Sequence, residues 1–288
     1  LYTFYSRVFS KSSLPCTGAP NKQFREDYVY NKQNDAYYKL HPESVEYERA
    51  HRVCEVEGAT LMVIVSIFDT VFVHGLFKEF PDIGKFVWVG ENVLDYPSNE
   101  YTPRKCSVLN RNGLIQEHFC QFYSLPFVCK VAAKDAPYDE TCQVYAKGEC
   151  YKYIESVGSC YKIPRIVYKW TAAAEECRAQ GAHLVVVNSE AERAALQTLM
   201  TITLYLEDSH SKYYYLAGIR AQPNSEPRIF RTVLNQTLEE AGFAVWADTE
   251  PNNLHNNENC GSLYESDGKY NDQNCDDVYG FICEKEKK

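Results

Sequence analysis

The sequence predicts an α+β fold built twice, as two tandem, disulfide-stapled units. Three observations predict it: an internal repeat at a constant offset of 123 residues, 12 cysteines with no CxxC among them, and helix-like runs that precede short strand-like runs.

The repeat comes first. Residues 37–40 (YYKL) match 160–163 (CYKI), and fourteen residues past each tetrapeptide stands a cysteine, Cys54 and Cys177. Gly58-Ala59-Thr60-Leu61 matches Gly181-Ala182-His183-Leu184, and both run into β-branched segments, Met62 to Val65 and Val185 to Val187. Two motifs and a cysteine at one offset are more than chance supplies, so the chain is a duplication. Each half closes on three cysteines, Cys106, Cys120 and Cys129 in the first, Cys260, Cys275 and Cys283 in the second. An aromatic and a β-branched residue precede each last cysteine (Phe127-Val128 and Phe281-Ile282), the pattern of a buried closing strand. The charged stretch Lys134 to Gly148, with Pro137, marks the junction, giving a first unit over 1–138, a linker over 139–147 and a second unit over 148–288.

Within the second unit, Trp170 to Gln180 reads as an amphipathic helix with Trp170, Ala173, Ala174 and Cys177 on one stripe. Ser189 followed by Glu190 and Glu192 is a helix start, a capping hydroxyl with acids in the first turn. Strand-like segments follow: Tyr213 to Ile219, Phe243 to Trp246, Gly261 to Tyr264 and Val278 to Cys283.

The 288 residues are 45% hydrophobic and 24% charged, a globular composition. A net charge of −9 argues against nucleic acid or an anionic membrane as partner. No apolar run approaches the ~20 residues of a membrane span. The chain begins at Leu1 without Met or leader pattern, as a removed secretion signal leaves it. Scattered, even cysteines suit disulfides in an oxidising compartment, and Asn235-Gln236-Thr237 is a glycosylation sequon, with Asn235 the acceptor.

The densest chemistry lies between Glu250 and Asp272. Carboxylates and amides crowd between two cysteines, with Pro251 inside the first cluster and no cationic partner among them. Hard oxygen donors at this density suit a calcium site with an open coordination face. Catalysis is not expected. The chain has no HExxH, no GxSxG and no phosphate loop. Glu250 and Glu258 resemble a glycosidase pair only superficially, since metal ligation keeps both ionised where a general acid needs a raised pKa. His255, in the same loop, reads as a solvated residue.

The order helix-Cys177, Gly181-Ala182-His183-Leu184, Trp246-x-x-x-Glu250-Pro251-Asn252, Cys260, Asn271-Asp272, Cys275 and Phe281-Ile282-Cys283 resembles the C-type lectin domain. The likeness covers nearly all of 148–288 and, with a deletion, roughly 25–130. A chain of two such domains is similar to the immulectin type of insect immune lectin. The resemblance implies pairing of Cys177 with Cys283, Cys260 with Cys275 and Cys150 with Cys160. The internal alignment carries the first two to Cys54–Cys129 and Cys106–Cys120. Cys16 and Cys142 remain, and because domain ends lie side by side in this fold, they are expected to pair.

By the same resemblance Glu250, Asn252, Glu258, Asn271 and Asp272 hold Ca²⁺, and Glu250, Asn252, Glu258 and Asn271 also bind two neighbouring sugar hydroxyls. A carboxylate accepts a hydroxyl proton through the oxygen the metal leaves, and an amide donates its N–H. A cis Glu250–Pro251 bond would place both flanking side chains on one side of the loop. Glu-Pro-Asn implies equatorial 3,4-diols, those of mannose-type glycans, where the galactose type carries Gln-Pro-Asp. The resemblance further implies a secreted, extracellular pattern-recognition lectin for microbial surface polysaccharide or lipopolysaccharide, a haemolymph-like fluid, and homo-oligomers. Its alternative is a protein-binding module of the same fold with a structural calcium and no sugar ligand. Departures are Tyr270 where the family usually has Trp, Asn253 and Asn259 where acids would serve a second calcium, and a longer segment from Ala221 to Ala241. The first unit has fifteen residues between Gly90 and Cys106 where the second has forty-one between Gly218 and Cys260. Only Gln116 and Glu117 stand at the places of Asn271 and Asp272, so it is expected to bind no calcium in this manner.

Overall fold

The computed structural model describes residues 24–90, 104–136, 138–145, 151–203, 213–223, 225 and 227–287. The first half contributes β1 (Val29–Asn31), β2 (Ala36–Val45), α1 (Tyr47–Val56), β3 (Thr60–Leu61), α2 (Ile67–Glu79), β4 (Phe86–Trp88), β5 (Lys105–Asn110), β6 (Ile115–Phe119) and β7 (Leu125–Ala132). Among the described residues these strands form one seven-stranded sheet in the order β1-β2-β7-β4-β5-β6, with β3 on β7. Helix α1 buries Tyr47, Ala50, Val53 and Cys54, one stripe at helical spacing, and Cys54–Cys129 ties it to β7.

A hairpin of β8 (Tyr138–Asp139) and β9 (Val144–Tyr145) leads into β10 (Lys152–Ile154), β11 (Ser159–Lys162), α3 (Trp170–Ala179), β12 (His183–Leu184), α4 (Glu190–Ile202), β13 (Tyr214–Ala221), β14 (Phe230–Thr232), α5 (Leu238–Ala241), β15 (Cys260–Tyr264), β16 (Tyr270–Gln273), β17 (Gly280–Phe281) and β18 (Cys283–Glu286). Two sheets result, β10-β11-β18-β12 and β14-β13-β15-β16 with β17 on β13. Cys177–Cys283 joins α3 to β18 as Cys54–Cys129 joins α1 to β7.

The repeat read from the sequence extends to individual hydrogen bonds. Ala59 N–H donates to Cys54 O at 2.8 Å, and Ala182 N–H to Cys177 O at 3.0 Å. Gly90 N–H donates to Met62 O and Gly218 N–H to Val185 O, at 2.8 and 2.7 Å. The Ser66 and Ser189 hydroxyls cap α2 and α4. Tyr38 donates to Asp69 and Tyr161 to Glu192, residues 123 apart in each case. Side chains at equivalent positions therefore make equivalent bonds in both halves.

The halves share a buried core. Phe24, Tyr28 and Cys54 belong to one apolar cluster with Trp170, Cys177 and Cys283, while each half keeps a further cluster of its own, around Val87 and around Leu196. Across the seam the fully buried Arg25 donates to both Glu176 oxygens at 2.8 Å and to Asp27 at 3.0 Å. Lys39 and His41 join through Glu57, which accepts from the Tyr28 hydroxyl at 2.7 Å. A buried guanidinium is tolerated here because carboxylates surround it.

Four of the expected disulfides form: Cys54–Cys129, Cys106–Cys120, Cys177–Cys283 and Cys260–Cys275. Two do not. Cys142 bonds Cys160, with Cα atoms 5.9 Å apart, which excludes both Cys150–Cys160 and Cys16–Cys142. The reason is local. The stretch expected as a linker folds as the β8–β9 hairpin, with Tyr138, Cys142 and Val144 buried, and its turn brings Cys142 to β11. Cys16 and Cys150 lie outside the described residues. Two strands also differ. Phe243 to Trp246 makes only a bridge from Trp246 to Tyr270, and Val278 to Cys283 divides into β17 and the start of β18. No helix among the described residues is long and apolar enough to cross a membrane.

Candidate calcium site

Strands β15 and β16 pair with Gly261 opposite Asp272 and Ser262 opposite Asn271, and Cys260–Cys275 ties their ends. The outer edge of β16 is covered by the incoming loop: Tyr270 N–H donates to Val245 O at 3.1 Å and Ala247 N–H to Tyr270 O at 2.8 Å. The Tyr270 hydroxyl, accepting from Val187 N–H at 3.0 Å, anchors the strand from below. Beyond Trp246 the loop turns through Thr249, Asn253, His255 and Asn256, all at positive φ, with Glu250–Pro251 in the cis form expected from sequence.

The loop is folded around one carboxylate. Asp272 is fully buried; its Oδ1 accepts from Asn252 N–H at 3.0 Å and its Oδ2 from Asn253 N–H at 3.0 Å. Asn252 Nδ2 donates to Glu250 Oε1 at 2.9 Å. Leu254 N–H points at Asn252 Oδ1 (2.8 Å) and Glu258 Oε2 (2.7 Å), and Glu258 N–H at Asn253 Oδ1 (3.2 Å). Asn271, also buried, donates to Ser262 Oγ at 3.3 Å and to Asp272 O at 2.6 Å. All five expected ligands thus belong to one loop and the strand it covers.

Electrostatics matches a site that wants a cation. Burial pushes the Glu250 carboxyl up, and the facing Asp272 carboxyl adds to it, while Asn252 N–H opposes the shift. Burial also pushes Glu258 up, and Asp272 contributes. Three carboxylates and two amide oxygens are the hard donor set that calcium takes, so the residues fit that ion. The carboxylates of Glu250, Glu258 and Asp272 do not all approach within 4.8 Å of one another, their oxygens being turned onto loop N–H groups. The one triad of His, Cys, Asp or Glu among the described residues that does is His41, Glu57 and Cys129, where the cysteine is disulfide-bonded and the histidine bridges Glu43 and Glu57.

Sequence reading placed no cationic partner in this cluster. The structure brings one, Arg228, which donates from Nη1 to Asp272 Oδ2 at 2.7 Å and from Nη2 to the Glu258 carbonyl. No motif marks it, because it arrives from a segment 44 residues away from Asp272 in sequence. The signal available was an arginine inside the longer Ala221–Ala241 segment.

Other expected residues lie as follows. Asn235 is exposed on the turn after β14, and Thr237 caps α5 through its hydroxyl. His255 is exposed in the site loop. In the first half β6 sets Glu117 opposite Ser107 and Gln116 opposite Val108, the register of Asp272 and Asn271. Both are exposed, and Glu117 lies 3.7 Å from Lys105, with no further acids converging among the described residues. Residues 91–103, where the shortened loop falls, lie outside those described.

Residues 166–285 match the family model described as Lectin C-type domain. Hemolymph lipopolysaccharide-binding protein of Periplaneta americana is 33% identical over 134 residues, 46% of this chain and 51% of that protein. C-type mannose receptor 2 of Homo sapiens is 25% identical over 281 residues, 87% of this chain and 18% of the receptor. Asialoglycoprotein receptor 2 of Homo sapiens is 29% identical over 142 residues, 47% of this chain and 40% of the receptor. The chain therefore spans about half, or less, of the length of these relatives. Helix α3, the Cys177–Cys283 and Cys260–Cys275 disulfides, the covered strand and the acid-amide loop all fall inside the matched residues, so the segment 166–285 is similar to that domain and has a mixed α+β fold.

Proposed function

We propose that the protein is a secreted, calcium-dependent carbohydrate-binding protein for mannose-type glycans on microbial surfaces, lipopolysaccharide among them, acting in innate immune recognition. The observation that carries this reading is the loop folded around buried Asp272, with Glu250 and Asn252 flanking the cis proline and Glu258 at its far end. Glu250, Asn252, Glu258, Asn271 and Asp272 would hold the ion, which supplies a Lewis-acidic contact to two neighbouring hydroxyls. Glu250 and Glu258 accept hydroxyl protons, and the Asn252 and Asn271 amides donate N–H, which fixes an equatorial 3,4-diol.

The first half reads as a second C-type-lectin-like unit that keeps the frame and lacks the loop. Support comes from the hydrogen bonds repeated between the halves, and from the mannose receptor likeness running over 87% of the chain. Secretion is supported by five disulfides among the described residues and by Asn235, the acceptor position of the sequon, on an exposed turn. Single sugar sites are weak, so useful binding calls for homo-oligomers. The test is retention on mannan resin with calcium, and release by EDTA or free mannose is the expected outcome. Retention indifferent to EDTA overturns the reading in favour of a protein-binding module.

A further inference from the structure

We infer that Arg228 is a tethered cation that braces the site loop and completes the charge of the site, so that one calcium suffices. The inference rests on the calcium reading above. Arg228 stands between β13 and β14 with its guanidinium over the Phe230 ring, 5.0 Å from the centroid. One prong holds the carboxylate of Asp272 on β16, and the other holds the main-chain carbonyl of Glu258 at the end of the loop. It therefore fixes the distance between the two places where the loop is anchored. Its partner carboxylate is fully buried and its own side chain is 21% exposed, so this is not a solvent-screened surface pair.

Charge points the same way. Glu250, Glu258 and Asp272 bring three negative charges, which Arg228 and a single divalent ion neutralise. Asn253 and Asn259, the positions from which a second ion would draw carboxylates, are neutral, and Asn253 Oδ1 already accepts from Glu258 N–H. The guanidinium acts on the sugar only through the loop and the ion, which makes Arg228 a positioning residue.

The experiment uses the full chain with Arg228→Gln and Arg228→Lys. Limited proteolysis of the 249–258 loop is followed in EDTA, calcium binding by titration calorimetry with CaCl₂, and mannose affinity at saturating calcium. Arg228→Gln is expected to be cut faster in EDTA and to bind calcium about tenfold more weakly, as loss of an outer partner of a metal ligand does, with mannose affinity at saturating calcium unchanged. Arg228→Lys keeps the charge, loses the second prong and recovers part of the calcium affinity. Wild type takes up one calcium per chain. Wild-type cleavage rate and undiminished calcium affinity in Arg228→Gln overturn the proposal, as do two calcium ions on wild type. If wild type takes up no calcium, the calcium reading falls, and the EDTA cleavage rates still decide whether Arg228 braces the loop. If Arg228→Gln does not fold, Arg228→Lys decides: wild-type behaviour in both assays overturns the brace.

Discussion

Glu284 on β18 faces Glu192 on α4 in the second half at the place where Lys130 on β7 pairs with Asp69 on α2 in the first. Lys130 Nζ lies 2.6 Å from Asp69, and although burial opposes it, Lys130 and Tyr38 hold Asp69 below the usual carboxylate range. Glu284 is instead pushed up to about 9, first by burial and then by Glu192, while Val186 N–H opposes the shift. The folded state therefore keeps a proton that the unfolded chain gives up near its ordinary value of 4.5. Stability from this pair is full below that value and falls as pH rises toward about 9. Glu284→Gln, measured by urea unfolding at several pH values, is expected to flatten that decline and to be the more stable protein at pH 8.

Arg25 and Glu176 make the buried two-pronged pair across the seam. Removing Glu176 takes two charge-assisted hydrogen bonds from the buried guanidinium while Asp27 and Glu57 stay beside it, at a cost of about 1.5–3 kcal/mol. Glu176→Ala should lose that much in chemical denaturation. Glu176→Gln, which keeps one acceptor, should lose less.

On the proposed reading, Glu250 and Asn252 set which hydroxyl is donor and which acceptor. The double change Glu250→Gln with Asn252→Asp exchanges those roles at nearly constant volume. Competition assays with free sugars should show preference moving from mannose toward galactose. Unchanged mannose preference would remove these two residues from sugar recognition.

Gly218 lies where β13 passes β12, and a Cβ there would sit 2.4 Å from Leu184 O, a backbone atom that cannot yield. Gly90 meets Leu61 O at 2.6 Å in the same place of the first half. Gly218→Ala should destabilise by about 1–3 kcal/mol, as overpacking does, read as a lower urea midpoint.

What the sequence made legible follows distance along the chain. The helices α3 and α4 were readable because a stripe and a capping serine are local signals, and four disulfides because the family resemblance implied two and the internal repeat carried those two to the first half. Glu250, Asn252, Glu258, Asn271 and Asp272 could be singled out because the resemblance fixes their order, and the structure gathers them in one loop and the strand it covers. Cys142–Cys160 was not, because nothing local distinguishes Cys142 from Cys150, and the choice is made by a hairpin packed into the core. Peptide mapping without reduction should recover Cys142 joined to Cys160. Arg228 was invisible for the same reason: its partners, Asp272 and Glu258, come near only when β14, β16 and the loop meet. The strand expected over Phe243 to Trp246 failed because those residues cover β16 chiefly through single contacts rather than a ladder.

The disulfide between Cys142 and Cys160 encloses residues 143–159, where the chain passes from one half to the other. A protease that cuts once within that interval opens the main chain without releasing a fragment. The two pieces travel as one band on a non-reducing gel and part only when a thiol is added. In a protease-rich fluid, such a nicked molecule keeps its acid-amide loop covalently attached to the frame of its sister half.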